Sequence, residues 1–184
     1  MRRIIFISGP CGCGKTTFAD RLAHALAESN RRTVYVIHGD DFHQGFVEPE
    51  DADDIFAGDD PADPARWEAY VRFHWDCLLD VADRALRQGM DVVIDYVIEE
   101  ELPLVKSLAE KRGAALSYVV LTASEEALEA RIRQRGDVDM IARALFLKRK
   151  LEAMPGNRGH LLDNTNKTAD ELARTFDPEA FRVC

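Results

Sequence analysis

Residues 6–20, FISGPCGCGKTTFAD, decide the fold of this 184-residue chain. Gly9 is followed, after four residues, by Gly14, Lys15 and Thr16, which matches the pattern GxxxxGK[ST]. The apolar run before the glycines predicts a strand, and the residues after Thr16 have the apolar spacing of a helix. The pattern therefore lies between a strand and a helix, which is the context that a phosphate-binding loop requires.

Each residue type in this loop suits the binding of phosphate. Glycines let successive backbone N–H groups point at phosphate oxygens, and the positive end of the following helix adds to that field. We expect Lys15 to reach the outer phosphates, Thr16 to ligate a Mg²⁺ ion and Thr17 to contact the inner phosphate. Cys11 and Cys13 stand at variable positions and are interpreted as small fillers. The predicted nucleotide site comprises Gly9, Pro10, Cys11, Gly12, Cys13, Gly14, Lys15, Thr16 and Thr17.

Strand and helix patterns alternate along the rest of the chain. The predicted strands cover residues 3–8, 33–38, 91–95, 115–122 and 160–165. Helices are predicted at 15–29, 63–89 and 100–113, after Ser124 and after Thr168, where Glu171 completes a capping box. This alternation predicts a single α/β domain over residues 1–184, with a parallel sheet covered by helices on both faces. Ligands bind such sheets beyond the carboxyl ends of the strands.

The long helix at 63–89 has one apolar face, which is interpreted as core rather than as a ligand site. The residues of this face recur at helical spacing: Trp67, Val71, Trp75, Leu78, Ala82 and Leu86.

Composition and charge exclude several classes of partner. The net charge is −9 and there is no long basic tract, so a nucleic-acid partner is not expected. No apolar run approaches the ~20 residues that span a bilayer, so no membrane partner is expected. The N-terminal apolar stretch is too short for a signal peptide, which predicts a cytoplasmic protein with its four cysteines as thiols.

The acidic residues concentrate in one loop, which we place at residues 44–63 on the substrate side of the sheet. Its segment 48–63 holds eight acids and no base. The segment is interpreted either as a solvated loop or as a cap over the substrate.

Carboxylates follow the second and third predicted strands. Asp40 and Asp41 follow the second strand, and Asp95 ends the third. A carboxylate near an attacking hydroxyl accepts its proton, and Mg²⁺ prefers oxygen ligands, so these acids are candidates for both tasks. A cap or turn role for Asp95 stays open. His43 is interpreted either as a substrate contact or as a polar loop residue.

A basic segment follows the fourth strand. Residues 131–158 hold eight bases against three acids, which is typical of a lid that closes on a polyphosphate. We place this helical lid at about residues 136–159. Arg131 and Arg135 lie four residues apart and share a helix face, and guanidinium groups can pair with phosphate oxygens and stack on a base. A solvated basic helix is the alternative.

The stretches GPCGCGKTT (9–17), HGDDFH (38–43) and DPARWEAY (63–70) resemble the uridine kinase, nicotinamide riboside kinase and pantothenate kinase branch of the P-loop small-molecule kinases. VVIDYV (92–97) and the short chain are similar to the chloramphenicol phosphotransferase and gluconate kinase branches.

The resemblance implies a P-loop NTPase fold with strand order 2-3-1-4-5 and a small helical lid. It also implies that Asp40 is the base, that Arg131 and Arg135 contact ATP, and that Asp41 binds Mg²⁺ or substrate. Asn164 and Asn166 are implied to border the adenine.

We therefore predict an ATP- and Mg²⁺-dependent kinase that phosphorylates a hydroxyl of a small molecule. A nucleoside-like acceptor is favoured, and an antibiotic acceptor, chloramphenicol-like or aminoglycoside-like, is the alternative. A regulatory ATP-binding module without transfer activity is the alternative of another class. The sequence gives no indication of the oligomeric state. A GTPase is not favoured, because NKTAD (166–170) departs from the guanine-reading NKxD.

Overall fold

The fold is a parallel sheet of five strands with helices on both faces. The computed structural model describes residues 2–47 and 64–184. The strand order is β2-β3-β1-β4-β5, and every pair of neighbours is parallel. Both the fold class and the strand order agree with the expectation from the sequence. The strands are β1 (Arg2–Ser8), β2 (Val34–His38), β3 (Asp91–Asp95), β4 (Ala114–Thr122) and β5 (Leu161–Asp163).

The central strands are buried on both faces. Every residue of β3 and β4 is buried, which is the pattern of a parallel sheet covered on each side. Ile5 of β1 pairs with Val93 of β3 on one side and with Ser117 of β4 on the other. This register places the carboxyl ends of β1, β2 and β3 side by side, since Ile7 and His38 both pair with Asp95.

Helices follow the strands at the predicted places. They are α1 (Lys15–Asn30), α2 (Pro64–Arg87), α3 (Leu102–Arg112), α4 (Glu125–Arg135), α5 (Ile141–Ala153) and α6 (Ala169–Thr175). The Ser124 side chain accepts a hydrogen bond from the backbone N–H of Ala127 and caps α4, as predicted. Thr168 and Glu171 form the predicted capping box of α6.

Two apolar cores lie on opposite faces of the sheet. Helices α2 and α3 pack on one face, where Leu78, Leu86 and Val105 are fully buried. Helices α1 and α6 pack on the other face, where Phe18 and Leu172 are buried. The segment 136–159 is largely helical, as expected, because it contains α5 and short 3₁₀ turns at 138–140 and 155–157.

Only part of the predicted core face of α2 is core. Trp75, Leu78, Ala82 and Leu86 are buried as expected. Trp67 and Val71 are instead only partly buried, and both line a cavity near the sheet edge. The reason is positional, because the first turns of α2 border a cavity that Asp40 and Tyr96 also line.

The predicted acidic loop falls mostly outside the described residues. A 3₁₀ segment over Gly39–Gly45 contains its first two residues, and 48–63 lie beyond the described part, so the role of the loop stays a prediction. Across 2–47 and 64–184, no helix has the length and apolar character needed to cross a bilayer.

His74 of α2 is buried among aromatic rings. Its ring centroid lies 4.2 Å from that of Tyr96, 4.5 Å from that of His43 and 5.7 Å from that of Phe42. Neither imidazole nitrogen has a hydrogen-bond partner in the structure, which covers 2–47 and 64–184. Burial and the neighbouring His43 lower the pKa of His74 to about 4, so the folded protein holds this ring neutral.

This burial predicts a loss of stability in mild acid that depends on His74. An unfolded histidine has a pKa of about 6.5, so below that pH the unfolded chain binds a proton at His74 that the folded chain does not bind. The free energy of unfolding therefore falls as the pH falls toward 4. Between pH 7 and pH 5 the loss from this residue is about 2 kcal/mol. Urea unfolding of the wild type and of His74→Phe at both pH values measures it.

The variant His74→Phe is expected to lose less stability than the wild type over this interval by about that amount. His24→Gln changes an exposed histidine of α1 and serves as the control. Equal losses for the wild type and His74→Phe would contradict the assignment.

Candidate active site

The loop between β1 and α1 has the conformation that its glycines permit. Gly9, Gly12 and Gly14 have φ angles of 143°, 77° and 86°, which L side chains rarely adopt. A Cβ atom on Gly9 would lie 2.4 Å from the carbonyl oxygen of Leu121 in β4, so a side chain has no room there. The predicted phosphate-binding loop is therefore held closely against the sheet.

Gly12 lets helix α4 approach this loop. A Cβ atom on Gly12 would lie 2.7 Å from the side chain of Ile132, a fully buried residue of α4. The same helix carries Arg131 and Arg135. Because Gly12 has no side chain, α4 packs close to the loop, and Arg131 and Arg135 line the cavities beside it. The sequence analysis expected both arginines near the phosphates.

The two loop cysteines differ in their surroundings. Cys13 is fully buried, and burial raises the pKa of its thiol, so it packs as a neutral side chain. This agrees with its interpretation as a filler. Cys11 is partly exposed and borders two cavities.

Lys15 is nearly buried at the start of α1. Its Nζ atom donates a hydrogen bond of 3.2 Å to the carbonyl oxygen of Pro10, which bends the side chain over the loop. The ammonium group is close enough to Asp40 and Asp95 for electrostatic attraction. The lysine is therefore confined to the edge of the sheet where phosphates would lie.

A chain of polar contacts joins α1, β3 and β2. The Thr16 hydroxyl donates to Oδ2 of Asp95 at 2.7 Å, and Oδ1 of Asp95 lies 2.5 Å from Nδ1 of His38. Nε2 of His38 lies 3.4 Å from the carboxylate of Asp20. Partial burial opposes protonation of His38, but the hydrogen bond and charge of Asp95, with Asp20 and Asp41, outweigh it and raise its pKa.

His38 was missed in the sequence analysis. The available signal is its position as the last residue of β2, because β2 pairs with β3 and His38 lies opposite Asp95 in the register. When two neighbouring parallel strands end at the same level, their last residues lie side by side. A polar residue at the end of β2 is therefore expected beside Asp95.

Thr16 and Asp95 form a donor set that fits Mg²⁺. Both supply oxygen atoms and adjoin the loop, and Mg²⁺ commonly uses one or two protein oxygens with phosphates and waters as its other ligands. The described residues contain no group of three or more His, Cys, Asp or Glu arranged to hold a metal by themselves. Asp41, the other predicted metal ligand, is exposed and lines neither of the cavities around Asp40.

A cavity of about 110 Å³ lies over the phosphate-binding loop. Besides the loop itself, Lys15, Thr16, Thr17, Asp40 and Arg135 line it. Arg135 also forms a salt bridge with Asp137 at 2.6 Å on its exposed side. The cavity combines backbone N–H groups, two cationic side chains and one carboxylate, as the transfer of a phosphoryl group requires.

A second cavity, of about 180 Å³, lies on the other side of the loop between α4, α6 and the end of β5. Arg131, Asn164 and Thr17 line it together with Phe18 and Lys167. Its position beside the loop suits the base and sugar of a nucleotide.

Asn164 ties this second cavity to the loop. It is buried, and its Nδ2 atom donates to the carbonyl oxygen of Cys13 at 2.6 Å. Arg131 donates to Oδ1 of Asn164 at 3.1 Å and to the backbone carbonyls of Asn164 and Thr165 at 3.0 and 3.2 Å. Asn166, which the sequence also placed at the base, is exposed and does not line the cavity.

A third cavity, of about 350 Å³, lies on the opposite side of Asp40. Aromatic and apolar side chains dominate its wall, and His43, Glu99, Glu101 and Arg143 add polar groups. Cys11 and Asp40 line both this cavity and the phosphate cavity. Asp40 therefore stands at the junction between the two spaces.

Tyr96 shapes this junction and was missed in the sequence analysis. Its hydroxyl lies 2.8 Å from Nε2 of His43, and burial raises the pKa of Tyr96 while it lowers that of His43. The phenol therefore donates and the neutral imidazole accepts. A Cβ atom on Gly39 would lie 2.5 Å from the Tyr96 ring, so the bare backbone beside Asp40 makes room for it.

The fold and the site together define a nucleotide-binding protein of the P-loop class. A family model described as an AAA domain matches residues 4–154, and the chain belongs to that family. A guanylate kinase from Prochlorococcus marinus is 26% identical over 142 residues, which are 74% of this chain and 73% of that protein.

Solved structures share the fold. The tunicamycin resistance protein of Deinococcus radiodurans has 18% identity and a TM-score of 0.59, over 95% of this chain and 92% of that chain. The APS kinase of Mycobacterium tuberculosis, in complex with AMPPNP and APS, has 18% identity and a TM-score of 0.62, over 94% of each chain. The resemblance to P-loop small-molecule kinases that the motifs indicated is confirmed.

The position of Asn164 predicts its effect on nucleotide binding. Asn164→Ala removes the donor to Cys13 and leaves a buried carbonyl and part of Arg131 without a partner, which costs about 1–3 kcal/mol of unfolding free energy. We expect the loop to loosen and the affinity for AMPPNP to fall. Calorimetric titration with AMPPNP and Mg²⁺, together with urea unfolding, measures both effects.

Asn166→Ala is the matched control, because the same change is made two residues away on an exposed side chain. It should leave both measurements near the wild-type values. Equal effects of the two variants would show that Asn164 does not support the loop.

Proposed function

We propose that the protein is an ATP- and Mg²⁺-dependent kinase that transfers the γ-phosphoryl group to a hydroxyl of a small molecule. The observation that carries this proposal is the position of Asp40, which borders both the phosphate cavity and the larger cavity beyond it. A carboxylate at such a junction is within reach of a hydroxyl that approaches a phosphate from the larger cavity.

The donor side is built for the triphosphate of ATP. Backbone N–H groups of the loop and the start of α1 face the cavity where phosphates would lie, and Lys15 and Arg135 add positive charge there. These groups stabilise the negative charge that spreads over the oxygens of the transferred group. Mg²⁺ held by Thr16 and Asp95 would neutralise further charge on the phosphate oxygens.

Transfer needs one proton acceptor. The acceptor oxygen forms a bond to the γ-phosphorus while the bond between that phosphorus and the β–γ bridging oxygen breaks, so ADP is the leaving group. The hydroxyl proton passes to the carboxylate of Asp40. His43 and Tyr96 line the acceptor side of the same junction and hold the hydroxyl in place.

The third cavity would receive the acceptor. A nucleoside-like acceptor is favoured by the resemblance of HGDDFH to the uridine kinase branch. An antibiotic acceptor is supported by the shared fold with a tunicamycin resistance protein. A regulatory module that only binds ATP is less favoured, because binding alone does not require a carboxylate between two cavities.

The test uses the pair Asp40→Asn and Asp41→Asn. ADP formation is first measured with ATP and Mg²⁺ across nucleosides, vitamins, sugars and antibiotics, and Lys15→Ala shows which turnover depends on the loop. With the best acceptor, Asp40→Asn should lower kcat by about 100-fold or more, because the proton acceptor is lost. Its affinity for AMPPNP should stay near the wild-type value.

Asp41→Asn makes the same chemical change at a neighbour that lines neither of the two cavities, so we expect it to retain most of the activity. Equal loss in both variants would argue against Asp40 as the base. Tight AMPPNP binding with no acceptor-dependent turnover would favour the regulatory module.

A further inference from the structure

The wall of the third cavity contains several aromatic side chains. The chain has two tryptophans, Trp67 and Trp75, and both line this cavity. Tyr96 joins them, with its ring centroid 5.7 Å from that of Trp75 and a steep interplanar angle of 72°. Apolar side chains of Val71, Met140 and Leu147 complete much of the remaining wall.

Trp67 and Tyr96 are partly exposed, whereas Trp75 is 4% exposed and stacks on Phe6 in the core. Trp67 and Tyr96 are therefore the rings that offer area to a ligand. Trp67 and Val71 stand one helical turn apart on α2, so their side chains project on the same face of that helix. Indole and phenol faces bind planar rings through stacking and through the area they bury. At about 350 Å³ the cavity falls in the range of small-molecule sites, which runs from about 300 to 1,000 Å³.

The charged groups at the wall disfavour an anion. Three carboxylates line the cavity, those of Asp40, Glu99 and Glu101, against a single guanidinium group, Arg143, among the described lining residues. Glu99 is paired with Lys150, and Glu101 accepts hydrogen bonds from the backbone N–H groups of residues 99 and 100. Burial lowers the pKa of His43, so this imidazole adds no positive charge near neutral pH.

We propose that the acceptor carries a planar aromatic ring that stacks on Trp67 or Tyr96 in the third cavity, and that this acceptor is uncharged or cationic rather than anionic. The inference rests on the proposed function, since it takes the third cavity as the acceptor site. It separates neutral ring-bearing alcohols from sugar acids, from aminoglycosides that lack an aromatic ring, and from acceptors that already carry phosphate or sulfate.

Two consequences for binding follow. Removing the ring from an acceptor while keeping its hydroxyls loses the stacking surface, and adding a carboxylate to the ring brings a negative charge toward Asp40 and Glu101. Ribose keeps the sugar of uridine and lacks its ring, and 5-carboxyuridine keeps both and adds a carboxylate to the ring. The three compounds therefore form a matched set for these two changes.

The experiment follows tryptophan fluorescence with AMPPNP and Mg²⁺ present, because both tryptophans line this cavity. Both also border another cavity of about 420 Å³, which Glu68, Arg72 and Leu104 line. Uridine, cytidine, adenosine and chloramphenicol are the ring-bearing probes, and ribose, gluconate and kanamycin are the ring-free probes. ADP formation with ATP is measured for every probe. We expect at least one neutral ring-bearing probe to change the fluorescence at concentrations about tenfold lower than any ring-free probe.

Trp67→Ala tests the wall itself, with Trp75 still present as the reporter. It should weaken binding of the best ring-bearing probe by about tenfold or more, Trp67→Phe should restore most of the affinity, and AMPPNP binding should not change. Tyr35→Ala removes an exposed aromatic side chain from β2, far from the cavity wall, and is the control.

The outcomes separate the inference from the proposed function. Ring-dependent binding without ADP formation for any probe would support the preference of the cavity for a neutral aromatic ligand and would overturn the kinase. ADP formation that is fastest with a ring-free probe, or with 5-carboxyuridine over uridine, would support the kinase and overturn the inference. No fluorescence change with any ring-bearing probe would overturn the inference as well.

Discussion

The site depends on the close approach of bare backbone at the phosphate-binding loop. Gly9 has no room for a side chain against Leu121 of β4, and Gly12 has none against Ile132 of α4. These two contacts fix the loop between the sheet and the helix that carries Arg131 and Arg135. Asn164 completes the arrangement by bonding the loop carbonyl of Cys13 from the end of β5. The loop, the helix with both arginines and the cavity beside Asn164 are thereby held together by direct contacts.

The sequence was most informative where local pattern and topology agree. The loop motif between a strand and a helix, together with alternating elements, was enough to predict a parallel sheet with helices on both faces and the loop residues. The strand order was implied by the resemblance to P-loop kinases, and the structure agrees with it. Asp95 was predicted at the correct edge because a strand-ending carboxylate in a parallel sheet has few other places to lie. The structure gives it contacts to Thr16 and His38, in place of a turn or cap role.

Other residues could not be found from local pattern. Tyr96 is one, since it contacts the predicted candidate His43 across 53 positions only because β2 and β3 are neighbours in the sheet. Trp67 follows the helical period of the core face, and the period alone does not reveal that the helix extends past the core. Asp40 and Asp41 were distinguished only by the resemblance to P-loop kinases, and in the structure Asp40 lines both cavities whereas Asp41 lines neither.

The position of β1 at the centre of the sheet has a consequence for the order in which the protein acquires its shape. Arg3 bonds Asp91 across 88 residues, and Arg2 bonds the backbone of Arg112 across 110 residues. Such distant partners make loop closure the slow part of folding. During synthesis, β1 and the glycines after it leave the ribosome before β3 and β4, and these later strands must be made before β1 can be enclosed. The phosphate-binding loop, which has the clearest motif in the chain, is thus among the last segments to reach its folded conformation.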